Sequence, residues 1–78
     1  ETQITFDLDR VSTVDLRIYN VRGDLIRVLA ASESYETGFN SVKWDGKDNG
    51  GQDVPSGIYL CSLKTENIQK TRSLLLVR

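Results

Sequence analysis

The sequence contains no histidine, no methionine, one cysteine and one proline in 78 residues. Without histidine, it lacks the usual general base of Ser-His and Cys-His catalysis and the commonest zinc ligand. A single cysteine, Cys61, excludes an internal disulfide framework. Because this thiol has no histidine to ionise it and lies in an apolar stretch, we expect it to be buried and inert. We therefore expect a domain that is not an enzyme and needs no cofactor or metal.

An excess of charge of one sign and long apolar runs are also missing. Ten basic and eleven acidic residues give a net charge of −1 and are mixed along the chain. Nucleic-acid binding requires clustered positive charge, so it is not expected. No apolar run approaches the ~18 residues of a transmembrane helix, and no signal peptide is present. Since the chain opens on the strand-like ETQITF without methionine, we interpret residues 1–78 as one domain, the C-terminal piece of a longer multidomain protein.

Alternation of apolar and polar residues dominates the sequence. Short segments with a period of two, separated by glycine-rich turns, are typical of antiparallel strands with one buried face. They predict an all-β fold, a small antiparallel β-sandwich of six or seven strands. Tyr19 falls on the solvent-facing side of its strand. The positions predicted to be buried are Ile4, Phe6, Leu8, Val14, Leu16, Ile18, Val42, Trp44, either Ile58 or Tyr59, and Leu75.

Turn-forming residues predict the connections. Residues 20–24 supply a hairpin turn in which Gly23 takes a positive φ, and the broken alternation that follows predicts a β-bulge. Residues 31–38 read as a polar loop and residues 45–57 as a longer one. The apolar run of residues 74–77 predicts a final strand that is central or covered on both faces.

The loop of residues 45–57 is the first candidate site. Its oxygen donors, of the kind that calcium prefers, are Asp45, Asp48, Asn49 and Asp53. Lys47 stands where the calcium-loop pattern needs a ligand, and Ser56 stands where it needs a bidentate glutamate. We therefore interpret these side chains as acceptors for backbone amides in tight turns.

Aromatic residues offer a second candidate. A carbohydrate-stacking platform would need exposed rings, but Trp44 shares its strand face with Val42, so Tyr19 is the better surface contact. Tyr59 lies two residues before Cys61, as in antibody domains, although no disulfide can form. We expect Gly57 to allow a tight turn into this strand and Tyr59 to anchor its start.

The spacing of these elements resembles a bacterial domain pattern. The sequence is similar to the C-terminal sorting domain of the type IX secretion system, and through it to the Ig-like domain of the flagellar hook-capping protein. The resemblance covers most of residues 11–78, but a Pro-Asn-Pro-like opening segment is absent. Its motif residues are Ile18, Tyr19, Gly23, Trp44, Asp45, Gly46, Asp48, Gly51, Ser56, Gly57, Ile58, Tyr59, Lys70, Arg72 and the run from Leu74 to Arg78.

The resemblance implies that the small antiparallel β-sandwich is Ig-like and that it is a sorting and surface-attachment domain of a secreted bacterial protein. Outer-membrane secretion machinery would recognise it after passage through the periplasm, with Lys70, Arg72 and Arg78 as contacts, and the protein would reach the cell surface or the medium. The alternative is a structural spacer or interaction module, in a multidomain glycosidase or a flagellar hook-cap-type assembly, whose partners are the neighbouring domains.

Overall fold

The computed structural model describes residues 2–78, which form six strands in two antiparallel sheets. One sheet pairs β1 with β4, and the other has the order β3-β2-β5-β6. The architecture confirms the all-β sandwich that the alternation predicts. The strands are β1 (Thr2–Leu8), β2 (Ser12–Tyr19), β3 (Leu25–Tyr35), β4 (Gly38–Trp44), β5 (Gly57–Lys64) and β6 (Gln69–Leu76).

The core lies between the two sheets and takes the inward side chains of each strand. Strict alternation places three apolar side chains of β1 and three of β2 in this layer, because successive side chains point to opposite faces of a strand. Trp44, at the end of β4, is fully buried. The buried core consists of Ile4, Phe6, Leu8, Val14, Leu16, Ile18, Ala30, Trp44, Val54, Tyr59, Cys61 and Leu76, with Val42 half-buried against it.

The turn between β2 and β3 is the one predicted for residues 20–24. Gly23 has a φ of 92°, a conformation that glycine adopts without a steric penalty. The side-chain oxygen of Asn20 accepts hydrogen bonds from the backbone N–H groups of Arg22 and Asp24 at 3.0 and 2.9 Å. This Asn side chain closes the turn as a local substitute for a backbone acceptor.

The predicted polar loop of residues 31–38 is wrong, because β3 continues to Tyr35. The register between β2 and β3 shifts near Leu16, so the strand passes this point through the predicted irregularity. Ser32 has a positive φ of 51°, and its N–H donates to Asp15 Oδ1 at 2.9 Å. A polar strand is possible here because β3 is the edge of its sheet and residues 31–34 face solvent.

The prediction for the last strand is also wrong, since β6 is the other edge of the four-stranded sheet. Leu76 is buried, but Leu75 is 58% exposed and does not belong to the core. Leu75 pairs with Ile58, which is exposed as well, so of the two alternatives on β5 the buried residue is Tyr59. The apolar run of β6 therefore covers the core with one face and leaves apolar side chains on the other.

The two sheets have unequal widths, and this difference leaves one side of the sandwich open. β4 contacts β3 at one side. At the other side, β1 and β6 flank a groove of about 720 Å³. Within residues 2–78 there is no helix with the length and apolarity that a membrane span requires.

Candidate functional site

The loop of residues 45–57 is held by its own aspartates. Asp48 Oδ1 accepts hydrogen bonds from the N–H groups of Gly50 and Gln52 at 2.9 and 3.0 Å. The Asp48 carbonyl accepts another from Gly51 N–H, and an isolated antiparallel bridge joins Lys47 to Asp53. These contacts are those of a braced turn, as the sequence interpretation proposes for Asp48.

Arg27, on β3, ties the same loop to the four-stranded sheet. Its guanidinium lies 2.8 Å from Asp45 Oδ1 and donates to the Lys47 carbonyl at 3.0 Å. Asn49 continues the connection, because its N–H donates to the Ile26 carbonyl and its Oδ1 accepts from Val28 N–H, both at 2.9 Å. The loop therefore supplies partners to the outer edge of β3, which would otherwise be open.

Arg78 holds the loop from the other side. Its guanidinium donates to the carbonyls of Gly46 and Val54, the latter at 2.5 Å, and lies 3.5 Å from Asp53 Oδ1. Its backbone N–H donates to Ser56 Oγ at 3.0 Å. Gly46 has a φ of +76°, which favours glycine, and a Cβ there would lie 2.7 Å from Arg78 Nη2, so the end of the arginine side chain would have to shift. Since β5 begins at Gly57, the loop itself comprises residues 45–56, and we call Arg27 and Arg78 with this loop the arginine clasp.

Trp44 and Tyr59 pack at the base of the loop. Their rings meet edge to face, with centroids 5.2 Å apart and planes at 77°. Trp44 Nε1 donates to the Lys47 carbonyl at 3.0 Å, and the Tyr59 hydroxyl donates to the Pro55 carbonyl at 2.6 Å. Both polar groups of this buried pair are thus satisfied, and Tyr59 anchors the start of β5 to the loop before it. Gly57 is the first residue of β5.

The charges of the clasp shift the pKa values of two carboxylates. For Asp45, desolvation opposes the shift, but the Lys47 N–H together with the hydrogen bond and charge of Arg27 lowers the pKa below its ordinary value. For Asp53, the hydrogen bond and charge of Lys47, followed by the charge of Arg78, lower the pKa. The carboxylates of Asp45 and Asp53 are therefore already paired with cationic side chains of the protein itself.

The other sequence candidates for chemistry lie apart from the clasp. Within residues 2–78, no group of three or more His, Cys, Asp or Glu side chains is arranged to hold a metal ion. Cys61 is buried in the core, and desolvation raises its pKa, although the charge of Arg72 opposes the change. A thiol in this state is a poor nucleophile. Tyr19 is half-buried and pairs with Leu60 and Leu25 on the outer side of the sheet.

The three predicted receptor contacts have different surroundings. Lys70 is exposed and lines the groove beside β1. Arg72 also lines it and reaches across, donating to the Thr5 carbonyl at 2.6 Å. Arg78 belongs to the clasp. The structure thus brings Lys70 and Arg72 together at the groove and places Arg78 elsewhere.

Sequence reasoning missed Arg27 and the inward role of Arg78. Arg27 and Asp45 are 18 positions apart, and Arg78 and Gly46 are 32 apart, so no local spacing signals either contact. The one usable signal is compositional. A loop rich in aspartate and glycine presents carboxylates and free carbonyls, both of which an arginine fork can bind.

A family match covers most of the chain. The family model of the FlgD Ig-like domain matches residues 1–69, and the chain belongs to that family. Most of β6, with Lys70, Arg72 and Arg78, lies beyond the matched residues. No curated protein matches the sequence.

The solved structures that resemble the domain include two bacterial proteins. FlgD from P. aeruginosa superposes with a TM-score of 0.74 and 27% identity, covering 94% of this chain and 57% of its own. PorZ, described as an essential surface component of the type IX secretion system of Porphyromonas gingivalis, superposes with a TM-score of 0.55 and 20% identity. The match covers 97% of this chain and 11% of PorZ, so the domain spans about half of one protein and a small part of the other. At 20% identity, the likeness to PorZ shows a common fold and nothing further.

Proposed function

We propose that this domain is a non-catalytic structural module of a longer bacterial protein, acting as a spacer or interaction unit of the flagellar hook-cap type. The observation that carries the proposal is membership of the FlgD Ig-like family, supported by the FlgD structure that covers 94% of the chain. The partners proposed are neighbouring domains of the parent protein. Its proposed location is the cell surface or the medium, reached through the periplasm.

The use of the charged side chains supports a structural role. The guanidinium groups of Arg27 and Arg78 bind backbone carbonyls and carboxylates of one loop, and Tyr59 fixes that loop to β5. A spacer has to hold the geometry between its ends, and a loop held by several charge-assisted hydrogen bonds keeps that geometry better than a free one.

A domain exchange tests the hook-cap reading. Residues 1–78 replace the Ig-like part of FlgD from P. aeruginosa, and flagellar hooks are counted by electron microscopy. We expect at least partial restoration of hook assembly relative to a strain without FlgD. The controls are an unrelated β-sandwich of similar size and a flexible linker of equal length. A folded, exported chimera that restores no more hooks than the linker contradicts the proposal.

A sorting signal is the second candidate, favoured by the exposed Lys70 and Arg72 of the edge strand β6. Such charges set association rate and specificity in recognition.

A reporter fusion tests the sorting function. Fused to a periplasmic reporter in a type IX-competent host, the domain is then expected to direct surface display. The triple change of Lys70, Arg72 and Arg78 to Ser should abolish display. Because Arg78 is part of the clasp, its replacement can also destabilise the domain. The double variant Lys70→Ser with Arg72→Ser is therefore tested separately, and Lys43→Ser is the control. Equal display with and without the domain contradicts sorting.

A further inference from the structure

Asn49 and Gly50, in the loop of the arginine clasp, form the one Asn-Gly pair of the sequence. In such a pair the backbone nitrogen after the asparagine can attack the side-chain amide carbon, and glycine has no side chain to obstruct the attack. The other asparagines precede Val21, Ser41 and Ile68, whose side chains hinder this approach. Asn49 and Gly50 are both exposed, so water reaches them.

The folded loop holds both reacting groups against other partners. Asn49 Oδ1 accepts a hydrogen bond from Val28 N–H at 2.9 Å, so the side-chain amide is turned toward β3. Gly50 N–H donates to Asp48 Oδ1, also at 2.9 Å. The attack needs this nitrogen without its proton, and the Asp48 carboxylate opposes that loss because a second negative charge would form beside it. Ring closure in the folded domain therefore requires that two hydrogen bonds break first.

We propose that Asn49 is a site of spontaneous deamidation and isomerisation, which the arginine clasp protects while its loop is closed. When the loop opens, the Gly50 nitrogen gives its proton to water and forms a bond to Asn49 Cγ. The side-chain nitrogen leaves as ammonia and takes up a proton from water, so a cyclic succinimide remains. Water then opens the ring at either carbonyl. The products are aspartate at position 49 and isoaspartate, in which the main chain continues through the former side chain.

The two products have different effects on the clasp. Aspartate at position 49 keeps a side-chain oxygen that accepts from Val28 N–H. Isoaspartate adds a methylene to the main chain, so the N–H groups of Gly50 and Gln52 lose their register with Asp48 Oδ1. The oxygen that accepts from Val28 N–H also becomes part of the main chain. Isoaspartate therefore releases the loop from β3, and refolding does not reverse the change because it is covalent.

Mass spectrometry of the domain kept at neutral pH in water enriched in heavy oxygen measures the reaction, since each opened ring takes up an oxygen atom from water. The reference is a peptide of residues 45–56, which lacks β3 and the rest of the fold. We expect conversion of Asn49 in the peptide, and conversion at least about tenfold slower in the folded domain, the equivalent of the net hydrogen bonding that must break. Equal rates overturn the protection, and a peptide that stays unconverted overturns the site.

Variants test which contact protects the site. Asp48→Ala removes the partner of Gly50 N–H, so Asn49 should be converted several-fold faster than in the unmodified domain. Leu63→Ala is the control for lost stability, because Leu63 packs against the core and lines the groove, not the loop. An unchanged rate in Asp48→Ala, or an equal acceleration in Leu63→Ala, overturns protection by the loop. In the peptide, Gly50→Ala should slow the reaction, and an unchanged rate there overturns attack by this nitrogen.

Hydrogen exchange at the Val28 amide tests the release of the loop. The domain with isoaspartate at position 49, prepared by peptide ligation, is compared with Asn49→Asp, which has the same mass and an unaltered main chain. We expect the Val28 amide to exchange about tenfold faster in the isoaspartate form, the equivalent of one net hydrogen bond lost. The amides of β5, which lies between β2 and β6, serve as the internal reference. Equal exchange in the two forms overturns the release.

Discussion

Trp44 is the residue on which the domain most depends. It is the largest fully buried side chain, it packs edge to face on Tyr59, and its indole N–H is bonded to the loop. Removing it leaves a cavity and takes away the packing partner of the Tyr59 ring, while the Lys47 carbonyl keeps Arg27 as a donor. We expect Trp44→Ala to lower the free energy of unfolding by about 3–5 kcal/mol in a denaturant melt. The control is Phe39→Ala, whose ring is 72% exposed and whose effect should stay within about 0.5 kcal/mol. An unchanged melt for Trp44→Ala would contradict its burial in solution.

Removing the Tyr59 hydroxyl distinguishes the stability that its hydrogen bond contributes from the stability that ring packing contributes. Tyr59→Phe keeps the ring against Trp44 but removes the donor to the Pro55 carbonyl, so the loss should be about 0.5–1.5 kcal/mol. Tyr19→Phe is the matched control, because the Tyr19 hydroxyl has no hydrogen-bond partner within residues 2–78. Equal stability of Tyr59→Phe and the unmodified domain in urea would show that the anchor contributes nothing.

At the level of secondary-structure elements, the glycine-rich loop depends on one acceptor oxygen. Asp48→Ala removes the bonds from Gly50 and Gln52, and we expect a loss of about 1–2 kcal/mol. Asp48→Asn retains a side-chain oxygen at the same position and should lose clearly less. Thermal melts of the two variants compare the acceptor with the charge. If both lose the same amount, the negative charge and not the hydrogen bonding stabilises the turn.

The same loop provides the test for calcium. Asp45 and Asp53 are already paired with cations of the chain, so we expect neither calcium nor EDTA to change the melting temperature. A ligand that binds only the folded state raises its stability by mass action. Magnesium at the same ionic strength is the control for screening. A rise specific to calcium would restore the metal interpretation that the loop sequence disfavours.

Local patterns predicted the elements that depend on local physics. The alternation in β1 and β2 and the glycine turn at Gly23 follow from side-chain parity and backbone freedom. The predictions were wrong where the position of a segment in the tertiary structure decides its conformation and its burial. The polar residues 31–35 form a strand because an edge strand can expose both its polar face and its backbone. The run ending in Leu76 is not central, because apolar content on its own does not distinguish an edge strand with an exposed face from a covered one.

For the molecule as a whole, the long-range contacts matter more than any motif. The arginine clasp joins β3, the loop and Arg78, the second residue after β6, which are far apart in the chain. The groove exists because a two-stranded sheet covers a four-stranded one. The spacing of residues along the sequence predicts neither the clasp nor the groove. The Trp-Asp-Gly and Ser-Gly-Ile-Tyr motifs were visible, but their arginine partners were not, since partner choice across the fold has no local signal.

For the whole molecule, we expect the clasp to make stability depend on pH in the acid range. The folded-state pKa values of Asp45 and Asp53 lie below 3.8, the ordinary value expected in the unfolded chain, so the unfolded state binds more protons. Their contribution is therefore complete near neutral pH, begins to decline below about pH 5 as the unfolded carboxyl groups start to protonate, and is lost as pH falls through the folded-state values. Because both carboxylates are exposed to solvent, their effect on stability is modest.

We expect the melting temperature to fall across this pH range, and the double variant Asp45→Asn with Asp53→Asn to flatten the fall. Asp9→Asn is the control, since Asp9 is exposed and has no ion-pair partner within residues 2–78. An acid profile that the double variant leaves as steep as the control would show that the clasp does not couple these carboxylates to folding.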